Sequence, residues 1–152
     1  MSTTILLTRE HIYPAAAIIS TFWVTLFQTI KVGAARKRAG IEYPQLYAEK
    51  AEVKASKDAS IFNCTQRAHQ NTLENLPSVL ASTAILSLRH PLVAASICGI
   101  WSFSRVLYTI GYSTGNPARR NFFGAAAFSI ISSTSLLLGS TWTLIELLRD
   151  IA

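Results

Sequence analysis

The sequence is poor in charged residues and in cysteine. Only 14% of its 152 residues are charged and 50% are hydrophobic, whereas about 25% of residues in an average soluble domain are charged. Its mean hydropathy is +0.32. The two cysteines, Cys64 and Cys98, form neither a CxxC pair nor a metal-ligand spacing, so there is no basis for a zinc site or a redox dithiol. The composition predicts an integral membrane protein without a metal.

Long apolar runs predict four membrane-spanning helices in one domain, residues 1–152, with an all-α bundle fold. Each crossing needs about 20 mostly apolar residues, and the runs lie at about 13–32, 67–88, 92–112 and 122–148. The polar segment 33–66 is predicted to be a solvated cytosolic loop, helical in part across 47–57. Serine, threonine, glycine and alanine are frequent in the fourth run, and such small residues allow close helix packing in lipid.

Basic residues are distributed unevenly between the two sides of this predicted topology. Ten lysines and arginines lie in or beside the first and third connections, whereas the opposite side carries only Arg9, Arg89 and Arg149. By the positive-inside rule, the two basic connections face the cytosol and both termini face away from it. The net charge of +6 therefore indicates orientation, and we do not expect a nucleic-acid partner.

The second run opens with polar residues on one helical face. Arg67, Asn71 and Glu74 follow the spacing i, i+4, i+7, which stacks a cation, an amide and a carboxylate. Glu74 of the second run and Arg105 of the third each lie about 10 Å in from the cytosolic end of their helix. One interpretation is that these two residues only neutralise each other within the membrane.

Further polar residues near the same end favour a ligand over a simple ion pair. Tyr108 and Tyr112 share a face with Arg105, and Arg36 lies at the cytosolic end of the first run. Arg119 and Arg120 follow in the third connection. Arginine binds carboxylates through a rigid two-pronged fork. A surplus of arginines around one acidic group predicts a small ligand with several carboxylates and one amine.

Two long motifs carry a family resemblance. The segments FNCTQRAHQNTLENLP (62–77) and RVLYTIGYSTGNPARR (105–120), with EYP at 42–44, closely resemble the membrane-associated proteins in eicosanoid and glutathione metabolism, the MAPEG family. The resemblance covers about 31–120 and implies a homotrimer of four-helix subunits in the endoplasmic reticulum membrane. It further implies that glutathione binds between subunits near the cytosolic face. The outer mitochondrial membrane and the nuclear envelope are alternative locations.

The resemblance also assigns roles to individual residues. Thiol activation falls on Arg119 or Arg120, with Arg119 the first choice. Arg105 joins the predicted glutathione-binding set through its position in the third run. The whole predicted set is Arg36, Arg67, His69, Asn71, Glu74, Arg105, Tyr108 and Tyr112. Glutathione is expected as a co-substrate, with no metal and no other cofactor.

The implied function is an enzyme that conjugates glutathione to lipophilic electrophiles and reduces lipid hydroperoxides. Leukotriene A-type epoxides are one candidate substrate class. The chemistry needs a thiolate, and a free thiol has a pKa near about 8.5, so a nearby guanidinium raises the reactive fraction at neutral pH. The alternative is a non-catalytic, lipid-binding scaffold protein of the same family. A transporter or channel is less favoured, because the charges gather at one side and do not line a path.

Overall fold

The computed structural model describes residues 8–151, and within them the chain is helical with no strand. A 3-10 turn at Arg9–His11 leads into the first helix, and a second 3-10 segment, Pro117–Gly124, precedes the last. The α-helices are α1 (Ile12–Ala39), α2 (Lys50–Ala55), α3 (Lys57–Ser87), α4 (Pro91–Tyr112) and α5 (Ala125–Arg149). Helices α3 and α4 pack against each other, and α1 and α5 each pack against both.

The bundle is apolar outside, and its interior contains polar as well as apolar side chains. Large apolar side chains such as Trp23, Phe103 and Ile130 are each 66–68% exposed. The interior instead contains a hydrogen-bonded glutamine, since Gln28 Nε2 donates to Thr72 Oγ1 at 2.8 Å and to Thr109 Oγ1 at 2.7 Å. An apolar surface around polar groups that bond to one another is typical of a protein in lipid. The chain is therefore an all-α membrane bundle.

Three of the helical stretches among the described residues are long and apolar enough to cross a membrane. They are Arg9–Ala39, Pro91–Tyr112 and Pro117–Arg149. Helix α3 has 31 residues, which is long enough for a span. Because it contains many polar residues, it is not among the three helices that are also apolar enough to cross a membrane. The fourth crossing, residues 67–88, stays a prediction that the packing of α3 against α1, α4 and α5 supports.

The predicted loop at 33–66 is mostly helical in the structure, so its loop assignment was wrong at both ends. Helix α1 continues through the basic cluster to Ala39, where Gly40 adopts a left-handed conformation (φ +67°) and ends it. Helix α3 begins at Lys57, and the Ser56 hydroxyl accepts a hydrogen bond from Ala59 N. Charged residues extended these helices because lysine, arginine and glutamate are good helix formers. Only α2, at 50–55, matches the predicted partial helix.

Gly111 allows the 3-10 segment to approach the end of α4. A Cβ atom at this position would collide with the backbone carbonyl of Arg119 and lie 2.7 Å from Phe122 Cβ. Phe123, with φ +49°, and Gly124, with φ +74°, then redirect the chain into α5. The missing side chain of Gly111 thus fixes where the two neighbouring arginines, Arg119 and Arg120, lie relative to α4.

We predict that Gly111→Ala lowers the free energy of unfolding by about 1–3 kcal/mol, because the added methyl forces the backbone of the 3-10 segment outward. Thermal unfolding in detergent micelles measures the change. Gly99→Ala is the matched control, since Gly99 lies in the same helix and a Cβ there has nothing within 4 Å. Equal melting temperatures for the two variants would contradict the prediction.

Candidate functional site

A cavity of about 470 Å³ opens between α3, α4, α5 and the 3-10 segment. This volume lies within the range of about 300–1,000 Å³ typical of small-molecule sites. Its lining extends along α4 from Tyr112 down to Trp101, a distance of about 16 Å at the helical rise per residue. The lining residues are Arg67, Asn71, Asn75, Trp101, Arg105, Tyr108, Tyr112, Arg120, Ala126, Ser129, Ile130, Ser133 and Thr134.

Arg105 provides a buried positive charge at the wall of this cavity. Its side chain is only 3% exposed, and its guanidinium lies over the Tyr108 ring at 4.1 Å. Arg105 Nε donates to Thr72 Oγ1 at 2.9 Å, and Nη2 donates to the Ala68 carbonyl at 3.3 Å. All of these partners are neutral. Two of the five guanidinium N–H donors have partners and the charge itself is not compensated, so the cavity wall attracts anions.

The predicted neutralising pair of Glu74 and Arg105 does not form. Glu74 instead accepts a hydrogen bond from Arg67, with 2.6 Å between Glu74 Oε1 and Arg67 Nη1. Both side chains are accessible, at 50% and 43% exposure. Arg67 lines the cavity, and Glu74 lies next to that lining without belonging to it. Glu74, the single carboxylate, therefore lies at the edge of the cavity, and Arg67, Arg105 and Arg120 line the cavity itself.

Arg120, rather than Arg119, lines the cavity. The 3-10 segment holds the two side chains in different directions, because the backbone carbonyl of Arg119 is against Gly111. Within residues 8–151, neither Arg119 nor Arg120 forms an ion pair. Of the two arginines predicted to activate the thiol, Arg120 therefore lines the cavity of this chain and Arg119 does not.

Tyr108 and Tyr112 meet edge to face in the cavity, as their predicted shared face requires. Their ring centroids are 5.5 Å apart and the ring planes cross at 83°, an arrangement that aromatic pairs favour. Tyr108 is also the ring on which Arg105 stacks. The pair places two hydroxyl groups in the cavity that Arg67 and Arg120 also line.

Besides Glu74, two residues of the predicted glutathione-binding set do not line the cavity of this chain. His69 is half-buried elsewhere on α3. Arg36 is buried inside the connection that follows α1, where its guanidinium lies 4.4 Å from the Tyr43 ring centroid and 4.6 Å from that of Phe62. Its Nη1 donates to the Gln45 carbonyl at 2.7 Å. Within one chain, Arg36 organises the connection and does not reach the site.

Sequence reasoning missed several lining residues. Asn75 lies one residue beyond Glu74, and its Nδ2 donates to the Asn71 carbonyl at 2.7 Å. Trp101 belongs to neither of the two motifs, yet it lines the deep end of the cavity. The spacing 67, 71, 75 was the available signal for Asn75, because residues four apart lie on one helical face.

The fold and the site together define a class, a helical membrane protein with a cationic small-molecule cavity at one end of the bundle. The chain matches the family model described as MAPEG family over residues 14–140. This match covers most of the chain, and the protein therefore belongs to the MAPEG family.

We predict that Glu74→Gln leaves the melting temperature nearly unchanged, because an accessible ion pair contributes little to stability. Binding of glutathione, the ligand that the sequence predicts, is expected to weaken by about tenfold or more in calorimetry in detergent. Glu146→Gln is the control for binding, since Glu146 pairs with His90 at the other end of the bundle. A Glu74 variant that unfolds easily would show that the carboxylate is structural instead.

Proposed function

We propose that this protein is a membrane-bound glutathione S-transferase with glutathione-dependent peroxidase activity, of the microsomal glutathione S-transferase 3 type. We place it in the endoplasmic reticulum membrane. One observation carries the proposal. Three arginines, Arg67, Arg105 and Arg120, line one cavity whose rim holds a single carboxylate, Glu74.

The charges suit glutathione, which carries two carboxylates, one amine and a thiol. Arg67 and Arg105 have guanidinium groups available for carboxylates, and Glu74 can receive the amine. Asn71 and the tyrosine hydroxyls supply neutral hydrogen-bonding groups. Charge-assisted hydrogen bonds are about twice as strong as neutral ones, so this set favours a zwitterionic peptide over a lipid.

We assign activation of the thiol to Arg120. A guanidinium close to sulfur favours the thiolate, which is the nucleophile, and arginine keeps its own proton at neutral pH. In conjugation, the thiolate attacks an electrophilic carbon and forms the thioether, while the carbon's bond to its leaving group breaks; with an epoxide this is the ring C–O bond, and the oxygen released takes up a proton from water. In peroxide reduction, it attacks the peroxide oxygen and releases the lipid alcohol, and a second glutathione then yields glutathione disulfide and water.

The cavity changes character along its length, which supports a lipophilic second substrate. Its arginines and tyrosines lie toward the end of α4, whereas Trp101 and Ile130 lie deeper. Ile130 is 68% exposed on the outer surface of α5, so this end of the cavity is accessible from the apolar exterior. We infer that an electrophile or a lipid hydroperoxide enters sideways from the bilayer.

We further propose that the protein works as a homotrimer. The open side of the cavity exposes polar groups, among them Asn75 and Thr134. Polar groups that face hydrocarbon without partners are costly. A neighbouring subunit over Asn75 and Thr134 would cover these groups and would complete the glutathione site, and the lipophilic substrate would then enter at the edge of this interface, beside Ile130.

We predict that Arg120→Ala lowers the thiolate fraction of bound glutathione at neutral pH by roughly tenfold or more, since a nearby opposite charge shifts a pKa by about 1–3 units. Stopped-flow ultraviolet absorbance measures thiolate formation. Arg119→Ala is the matched control, because Arg119 has the same charge one residue away and does not line the cavity. Unchanged thiolate in the Arg120 variant would remove this assignment.

The second candidate function is a non-catalytic lipid-binding scaffold, as the MAPEG family includes proteins without catalytic activity. The lateral apolar opening at Ile130 is the observation that favours it. Turnover assays of purified protein with glutathione and either an aromatic electrophile, an unsaturated epoxide or a lipid hydroperoxide discriminate the two. Conjugation or peroxide reduction supports the enzyme, and glutathione binding without turnover on any of them supports the scaffold.

A further inference from the structure

The connection between α1 and α3 is folded back on α3 and firmly anchored. Arg36 lies between the rings of Tyr43 and Phe62 and donates to the Gln45 carbonyl at 2.7 Å. A single side chain on α1 therefore joins the first half of the connection to the start of α3. The connection is a structured element and not a free loop.

A second anchor holds the connection at Ala48. Asn63 Nδ2 donates to the Ala48 carbonyl at 2.9 Å, and Asn63 Oδ1 accepts from the Ala48 backbone N–H at 2.7 Å. Gln45 Nε2 also donates to Glu52 Oε2 at 2.6 Å. Residue 47 lies between these anchors, and its backbone is fixed from both sides.

Tyr47 points from this anchored segment toward the polar end of the cavity. Its hydroxyl donates to Gln70 Oε1, and Gln70 directly precedes Asn71 on α3. Burial raises the pKa of Tyr47, while the neighbouring Arg67 guanidinium opposes that rise. Tyr47 is thus a neutral hydrogen-bond donor to the turn of α3 that carries Arg67 and Asn71.

We propose that Tyr47 is a positioning residue for glutathione, one whose hydrogen bond to Gln70 holds this turn of α3, with Arg67 and Asn71, in the orientation that receives the ligand. This inference rests on the proposed function. The Tyr47 hydroxyl contributes little to anchoring the connection, because Arg36 and Asn63 already hold it. Its hydrogen bond instead holds Gln70, which lies between the lining residues Arg67 and Asn71 on α3.

Tyr47→Phe tests the proposal, since it removes the hydroxyl and keeps the ring. We expect the KM for glutathione to rise about 5- to 20-fold, the order of magnitude for losing one hydrogen bond at a charged site. We expect kcat at saturating glutathione to stay within twofold and the melting temperature to be unchanged. Tyr43→Phe is the matched control in the same connection, because its ring packs on Arg36 and stays in place.

An unchanged KM for Tyr47→Phe would overturn the proposal, and so would a loss of affinity that only accompanies a lower melting temperature. Failure of the proposed function is distinguishable, because the unsubstituted protein would then show no heat with glutathione in calorimetry. If the unsubstituted protein binds glutathione and the Tyr47 variant binds it equally well, only the role of Tyr47 fails.

A double-mutant cycle with Asn63→Ala provides a second test that does not depend on the tyrosine variant alone. Loss of the Asn63 anchor releases Ala48 and moves the Tyr47 hydroxyl away from Gln70. We expect Asn63→Ala to raise the KM for glutathione. Adding Tyr47→Phe is expected to raise it little further, because both changes remove the same hydrogen bond between Tyr47 and Gln70. Fully additive changes in KM would contradict a positioning role for Tyr47.

Discussion

The bundle and its cavity both depend on how Arg105 is buried. A guanidinium among membrane helices must find acceptors within the protein, and here the Thr72 hydroxyl and the Ala68 carbonyl provide them. Thr72 is held in turn by Gln28 of α1, so three helices meet around one cation. Since every acceptor is neutral, the packing is satisfied while the positive charge is not balanced. The contacts that join the helices therefore also make the cavity cationic.

This arrangement explains why α3 is the least apolar of the four long helices. Its buried face supplies Thr72 and Ala68 to Arg105, and its neighbouring face supplies Arg67 and Asn71 to the cavity. A helix that serves packing and binding at once cannot be uniformly apolar, and in lipid it must be covered by its neighbours. Its contacts with α1, α4 and α5 provide that cover.

Much of the fold and part of the site followed from the sequence. Apolar runs predicted the stretches that became α1, α4 and α5, because length and hydropathy decide a span. Helical spacing placed Arg67 and Asn71 on one face correctly, but it could not decide between Glu74 and Asn75. At about 100° per residue, Asn71 lies about 40° from Arg67, Asn75 about 80° and Glu74 about 20° the other way. The cavity is centred near Asn71, which places Asn75 inside it and Glu74 at its rim. The choice between Arg119 and Arg120 depends on the irregular 3-10 segment, which has no simple periodicity.

The role of the connection at 40–56 could not be predicted from the sequence, because it depends on contacts between residues far apart in the chain. Arg67 illustrates the consequence. Its ion pair with Glu74 is accessible on both sides, and such pairs hold a side chain only weakly. Binding is stronger when the receiving group is already oriented, because less entropy is lost when the ligand arrives. A contact from outside α3 can orient this part of the helix, and the anchored connection supplies one by bringing the Tyr47 hydroxyl to Gln70, three residues from Arg67.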